Sequence, residues 1–231
     1  QELTSRRAKV LRPLRSSFER YGEVFVSLGV SFVPNFVSLY DEGVGDEGLY
    51  SELTPPKSSG ERWIGVAPFA KHKGKIYPLD RMEKVVSKLS EESRVKIFLF
   101  GSGDREREIL SLWRERYPGV ISLADKRYGF AVELSLMSRL DVMISMDSAN
   151  MHLASLVEVP VVSVWGATHP YCGFLGWRQS DSGVVELPLD CRPCSVFGNK
   201  PCYRKDYACL EIAPETIVDR VKSLETLIKE K

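Results

Sequence analysis

The six residues DSANMH place Asp147, Ser148, Asn150 and His152 between an apolar run, DVMISM, and a segment with helical spacing. Two chemistries suit that grouping. Asp and Ser are ordinary helix N-caps, and a helix starting here needs one whatever its function. The free N–H groups of the same turn, with the positive end of the helix dipole, also make an anion site that phosphates commonly occupy. His152 stands in the first turns of that helix, within reach of a phosphate or a sugar hydroxyl in the same crevice. Taken alone, a histidine amid apolar residues is more often a satisfied core residue.

The segment APFAKHKGKIYP adds Lys71, Lys73 and Lys75 around a glycine, after one apolar run and before a helix signalled by Pro78. Ammonium groups on flexible backbone suit a diphosphate. The pattern is not a Walker sequence, which needs two glycines and a Lys-Ser or Lys-Thr pair. FGSGDRER supplies Gly101 and Gly103 but puts Glu106 where a dinucleotide fingerprint has its third glycine. It reads as a tight strand-to-helix turn able to approach a ligand. Thr168, in WGATHP, is a further polar candidate after an apolar run. Cys191, Cys194, Cys202 and Cys209 lie within nineteen residues, a spacing suited to a structural zinc held by thiolates. The competing reading is four reduced thiols packed in a loop. Cys172 stands apart.

From Arg62 onward the sequence alternates strand-like and helix-like segments: RWIGVAPF, PLDRMEKVVSKLS, VKIFLFG, DREREILSLWRERY, GVISLA, FAVELSLMSRL, DVMISM, SANMHLASLV and PVVSVWG. Strands that are apolar throughout and alternate with helices predict an α/β domain with a mostly parallel sheet covered on both faces. In such a sheet, ligands bind outside the carboxyl ends of the strands. That rule brings residues 67–77, 101–105, 124–130, 146–150 and 166–170 to one edge. The tail APETIVDRVKSLETLIKE predicts a closing helix with Ile217, Val221, Leu224 and Ile228 on one face.

Ahead of the alternation, Leu14, Phe18, Tyr21, Phe25 and Leu28 recur at three- and four-residue steps, predicting an amphipathic helix from Thr4 to about Leu28 that Pro13 starts or kinks. Arg6, Arg7, Lys9, Arg12 and Arg15 make its opening basic, either a solvated face or a contact with an anionic membrane surface. Leu39 to Glu61, rich in Gly, Ser, Pro and acids, reads as a connecting segment. The expected division is therefore 1–60 for an N-terminal piece with its linker, and 61–231 for the main domain. A chain of 231 residues with a formal net charge of +1 can bury a proper core and has no whole-chain field that calls for nucleic acid. It has no apolar run of about 18 residues and no secretory signal pattern, so a cytoplasmic protein is the default. Its opening on Gln1 reads as the interior of something longer.

GVAPFAKHKGKIYP, FLFGSGDRE, LDVMISMDSANMHLASLVEVPVVSVWGATHP and CRPCSVFGNKPC, in that order from about Trp63 to the end, resemble the C-terminal half of family-9 glycosyltransferases, the ADP-heptose:lipopolysaccharide heptosyltransferases and their relatives. The resemblance implies a GT-B architecture, two Rossmann-like domains facing across a cleft, with the nucleotide-sugar donor on the C-terminal one. This chain would be that donor domain, preceded by a helical remnant of the N-terminal domain. Carried over by position, Lys75, or Lys73 if the loop is shifted, would stabilise the departing diphosphate. Asp147 would meet the donor's sugar hydroxyls, and the backbone N–H groups of Ser148, Ala149 and Asn150 its phosphates. His152 would lie beside the diphosphate or the transferred sugar. One of Asp104, Arg105 and Glu106 would serve the ribose, and residues 125–129 would border the base.

The resemblance further implies inversion at the anomeric centre in one displacement, without cofactor or metal, which weakens the zinc reading. The acceptor would be a lipopolysaccharide core or related glycan, with peripheral contact at the inner membrane face. The family's catalytic base belongs to the start of its N-terminal domain and nothing here matches it, so this chain is expected to bind nucleotide-sugar without turning over alone. The rivals are a non-catalytic nucleotide-binding module and an NAD-dependent oxidoreductase, and the incomplete glycine fingerprint stands against the latter.

Overall fold

The computed structural model describes residues 2–229, with side chains described through residue 227. Its first α-helix, α1 (Ser17–Ser27), is shorter than the amphipathic spacing predicts. Proline is disfavoured inside a helix, so Pro13 blocks continuation through it. Ser16 then sets the start through a capping box: its Oγ accepts from the Glu19 N–H at 3.1 Å, and Glu19 Oε2 accepts from the Ser16 N–H at 2.6 Å. The basic segment before it lies along the cysteine-rich loop instead, where the Lys9 ammonium donates to the carbonyls of Cys191 and Pro193. No residue of α1 is buried, and Tyr21, Val24, Phe25 and Leu28 are exposed. Residues 39–61 do more than connect. Tyr50 is buried with its ring edge-on to Trp63, and the Gly45 N–H donates to Ser138 Oγ at 2.8 Å.

The predicted alternation follows in order: β1 (Arg62–Ala67), α2 (Leu79–Ser90), β2 (Val95–Leu99), α3 (Asp104–Arg116), β3 (Val120–Ser122), α4 (Phe130–Met137), β4 (Val142–Met146), α5 (Ala149–Leu156) and β5 (Val161–Trp165). A sixth strand, β6 (Val184–Glu186), carries no sequence signal, because three residues are too few to show a period. The closing helix α6 (Pro214–Lys229) buries Ile217, Val221 and Leu224 as its spacing predicts, while the Ile228 side chain lies outside the described ones.

All strand pairings are parallel, in the order β3-β2-β1-β4-β5-β6. β1 shows why both faces are covered. Ile64 and Val66 point into a core shared with Met82 and Val85 of α2, Leu110 of α3 and Ile217 of α6. Trp63 and Ala67 point the other way, among Leu136 of α4, Met151 and Ala154 of α5, and Trp165. Each such buried aliphatic side chain contributes about 1.5–3 kcal/mol. The strand order reverses between β1 and β4, and this reversal opens the crevice at the carboxyl edge. Among the described residues no helix is long and apolar enough to cross a membrane.

Candidate functional site

A cleft of about 1090 Å³ lies at that reversal, walled by the segments after β1, β2, β3 and β4. Lys75 and Asp147 meet in its floor. The Lys75 ammonium stands 2.9 Å from Asp147 Oδ2, with the two side chains 14% and 5% exposed. Thr168, fully buried beneath them, donates to the same oxygen at 2.7 Å. Asp147 Oδ1 has no partner among the described residues and the residue lines the cleft.

This pairing separates the two readings of DSANMH. Asp147 is spent on Lys75 and Thr168, and the N-cap of α5, Ser148, makes no side-chain capping bond. The first-turn N–H groups of α5 are therefore left uncapped beside Lys75, an arrangement suited to an anion. α3 and α4 also start at the cleft, from Gly103 and Gly129, both at positive φ and neither able to cap with a side chain. His152 lines the same wall. Burial holds its imidazole below the ordinary value, Asp147 pulls it up and Lys75 pushes it down, so it is neutral near pH 7.

Lys75 is positioned by close backbone approach. It ends the turn Lys73–Lys75, and the Gly74 carbonyl accepts from the Ala167 N–H at 2.7 Å. A Cβ on Gly74 would stand 2.7 Å from that of Ala167, nearer than packed atoms tolerate. On the other side Gly198, at φ +72°, lies against the Lys75 stem, where a Cβ would come within 2.8 Å of Cε. Gly198 belongs to the cysteine-rich loop, which thus braces the lysine, and Phe197 beside it lines the cleft.

That loop is held by Arg192, which is 2% exposed. Its guanidinium donates to the carbonyls of Gly166, Leu187, Thr168 and Trp165 at 2.5, 2.6, 2.9 and 3.3 Å, and to Glu186 Oε2 at 2.7 Å. Sequence reasoning passed over Arg192, because the flanking thiols drew attention and nothing local marks an arginine as buried. The zinc-like spacing does not gather a ligand set: among the described residues no group of three or more His, Cys, Asp or Glu is placed to hold a metal. Cys209 is buried against Ala167 and Leu210, Cys194 Sγ faces the Cys191 carbonyl, and Cys202 Sγ lies 3.8 Å from Asp206 Oδ1.

The structure brings Lys75, Asp147, Ser148, Ala149, Asn150, His152, Gly101 and Gly103 into one cleft. It does not bring Lys73 there, whose ammonium lies 5.1 Å from the centre of the Tyr207 ring. Thr168 acts from below, so residues 166–170 support the cleft without walling it. Of the three candidates after Gly101, Glu106 accepts from the Ser102 N–H at 2.8 Å, Asp104 pairs with Arg107, and Arg105 lies outside the lining. Asp125 pairs with Arg114, while Lys126, Arg127 and Gly129 line the cleft. Phe130 ends the segment 124–130 that the edge rule selects, whereas Glu133, one turn further along α4, is a lining residue that motif reading missed. Its only signal is an acid in an otherwise apolar short helix.

Comparison with known proteins meets this geometry at the fold. A sequence model of glycosyltransferase family 9 (heptosyltransferase) matches residues 46–202. Lipooligosaccharide heptosyltransferase 2 of Campylobacter jejuni subsp. jejuni serotype O:6 is 25% identical over 172 residues, 73% of this chain and 53% of that protein. The family 9 glycosyl transferase of Veillonella parvula superposes with a TM-score of 0.68 at 18% identity, over 92% of this chain and 60% of that one. E. coli heptosyltransferase WaaC, solved with ADP-2-deoxy-2-fluoro heptose, gives 0.61 at 17% identity, over 94% and 59%. The sheet and its helices are thus of the GT-B kind, and the chain spans about half the length of the curated relatives it matches.

Proposed function

The chain belongs to glycosyltransferase family 9, the heptosyltransferases, and from that premise we propose that residues 61–231 bind the nucleotide-diphospho-sugar donor of an inverting sugar transfer. The observation that carries this reading is the Lys75–Asp147 pair beside the uncapped start of α5. The donor's diphosphate lies on the N–H groups of Ser148, Ala149 and Asn150, with Lys75 against it and His152 at its flank. Asp147 Oδ1 accepts from a hydroxyl of the transferred sugar while Oδ2 aims the lysine. WaaC was solved with an ADP-heptose analogue, which favours ADP-heptose as the donor, and the Campylobacter relative is a lipooligosaccharide heptosyltransferase, which favours a lipopolysaccharide-type core as the acceptor.

In the transfer, the acceptor hydroxyl oxygen forms a bond to the anomeric carbon as the bond to the diphosphate oxygen breaks, and the electron pair leaves on the diphosphate. Lys75 and the α5 N–H groups stabilise that charge from fixed positions. The proton of the acceptor hydroxyl goes to a base. Asp147 is committed to Lys75 and Thr168, so this reading assigns the base to the facing, acceptor-binding half of a two-domain transferase, to which residues 1–60 belong.

Calorimetric titration with ADP, UDP, GDP and ADP-heptose tests the donor site. The expected result is binding of ADP and ADP-heptose that Asp147→Ala weakens tenfold or more, about 1.4 kcal/mol. Absence of nucleotide binding, or equal affinity in the variant, refutes the assignment. Sugar transfer catalysed by these 231 residues alone would overturn the placement of the base.

A further inference from the structure

Among the described residues, the thiols of the cysteine-rich loop are gathered into no metal-ligand set, and none of them lines the donor cleft. Cys191 and Cys194, both free and partly buried, instead line a second cavity of about 120 Å³ that shares no lining residue with that cleft. Its walls come from both ends of the chain, residues 4–9 and 190–203. They are cationic: Arg6, Lys9 and Lys200 stand against the one carboxylate of Asp190. The Lys9 ammonium donates to the carbonyls of Cys191 and Pro193 at 3.1 and 2.9 Å and has no carboxylate partner among the described residues. Burial lowers its pKa, and the neighbouring Cys194 and Cys191 draw it back up. The Arg6 guanidinium lies 4.7 Å from the centre of the Tyr203 ring.

Two thiols separated by two residues are the arrangement of dithiols that exchange with disulfides. This pair is also unequal, as an attacking and a resolving thiol are. Cys194 Sγ lies 3.5 Å from the Cys191 carbonyl oxygen, and burial raises its pKa, with Cys191 and Cys202 adding to the rise. It is the withheld thiol. Cys191 Sγ makes no hydrogen bond among the described residues and lines the cationic cavity, so it meets an incoming disulfide first. Cations there favour the thiolate, which is the attacking form, and collect anions.

Arg192 stands between the two cysteines. Its guanidinium holds the carbonyls of Trp165, Gly166, Thr168 and Leu187, and the Cys194 N–H donates to the Ala167 carbonyl at 2.8 Å. Gly198, further along the same loop, lies against the Lys75 stem. A disulfide needs its Cβ atoms about 3.5–4.5 Å apart with a dihedral near about 90°. Closing the ring therefore redraws the backbone that carries Arg192 and, through it, the brace on Lys75.

Resting on the donor-site reading above for its effect on binding, we propose that Cys191 and Cys194 form an exchange site for small anionic disulfides, and that oxidation of the pair weakens donor binding. The Cys191 thiolate attacks one sulfur of the small disulfide, whose S–S bond breaks, and the first small thiolate leaves with the electron pair. Cys194 then gives its proton to solvent and attacks the Cys191 sulfur, releasing the second small thiolate. The two protein thiols are oxidised by two electrons, and one small disulfide is reduced to two thiols. A reducing dithiol reverses the sequence.

The test treats the reduced 231-residue chain with glutathione disulfide, which is anionic, with the uncharged hydroxyethyl disulfide and with the cationic cystamine. Peptide mapping by mass spectrometry reads the product, and calorimetry reads ADP affinity before and after. The expected product is a Cys191–Cys194 disulfide. Glutathione disulfide should react about tenfold faster than cystamine at low ionic strength, the rates should converge in high salt, and Lys200→Gln should narrow the gap. Cys194→Ser should trap the mixed disulfide on Cys191. Oxidation should lower ADP affinity about tenfold, which is about 1.4 kcal/mol, and dithiothreitol should restore it. Cys191→Ser should bind ADP like the reduced parent and ignore glutathione disulfide. No oxidation, or a bridge through Cys202 or Cys209, refutes the pair. Equal rates for the three disulfides refute the anionic class. A Cys191–Cys194 bridge that leaves ADP affinity unchanged refutes the regulation while the exchange site stands. If the reduced parent binds no ADP, the donor-site reading and the regulation fall together, and the mapping still decides the exchange site.

Discussion

Lys75 and Asp147 join the loops after β1 and β4 across the reversal of strand order, Nζ to Oδ2 at 2.9 Å. Breaking such a buried pair from one side leaves an uncompensated charge. Lys75→Ala should therefore cost about 3 kcal/mol, read by urea unfolding. Replacing both residues by apolar ones, Lys75→Met with Asp147→Leu, should recover most of that stability while donor binding stays lost. A double variant as unstable as the single one would show that the pair does more than neutralise itself.

Because burial dominates the lowered pKa of His152, the unfolded chain takes up a proton at a higher pH than the folded one. The stability its neutral form contributes is complete above the unfolded value of about 6.5 and is lost as pH falls through the lowered folded value. NMR titration of the His152 ring should give a midpoint below 6.5, moved up by Lys75→Met and down by Asp147→Asn. A midpoint above 6.5 in the parent contradicts the assigned causes.

Arg192 ties four carbonyls and Glu186 together with one planar fork. A lysine cannot satisfy that many acceptors at once. Arg192→Lys should lower stability by about 3–5 kcal/mol and, by loosening the support of Lys75, weaken ADP binding in the fraction that remains folded. Unchanged denaturation midpoints would mean that the loop is held elsewhere.

Gly198 combines positive φ with contact on the Lys75 stem. Gly198→Ala should destabilise by about 1 kcal/mol through its backbone and also displace the ammonium. Calorimetry should show ADP affinity falling further than in the parallel variant Gly103→Ala, which is also at positive φ but whose added Cβ meets nothing within 4 Å.

Burial lifts the Cys209 thiol to about 11, and Cys172 is raised by the same cause. Alkylation at pH 8 followed by peptide mapping should modify Cys202, which is only partly buried, well before either, since thiolate fraction and access both govern the rate. Fast modification of Cys209 would mean that the loop opens in solution.

The alternation of apolar runs and helix signals carried the sheet, because buried parallel strands must be apolar on both faces. The same patterns placed Asp147 to His152 and Lys75 at one edge. What the sequence did not disclose depends on distance along the chain. Lys73 and Lys75 look alike in KHKGK, and only the approach of Gly74 to Ala167 decides which one turns inward. Amphipathic spacing extended α1 too far because periodicity says nothing of a capping box at Ser16.

The floor of the cleft is assembled from residues 75, 147, 168 and 198, contributed by loops after β1, β4 and β5 and by the segment beyond β6. No subset of these is local. On the donor-site reading proposed above, a nascent chain therefore has no complete cleft floor until residue 198 has emerged and docked. On that reading donor binding proofreads the docking of distant segments: any nucleotide held adds its binding free energy to the fold that assembles the floor, and a misdocked 198 segment holds none.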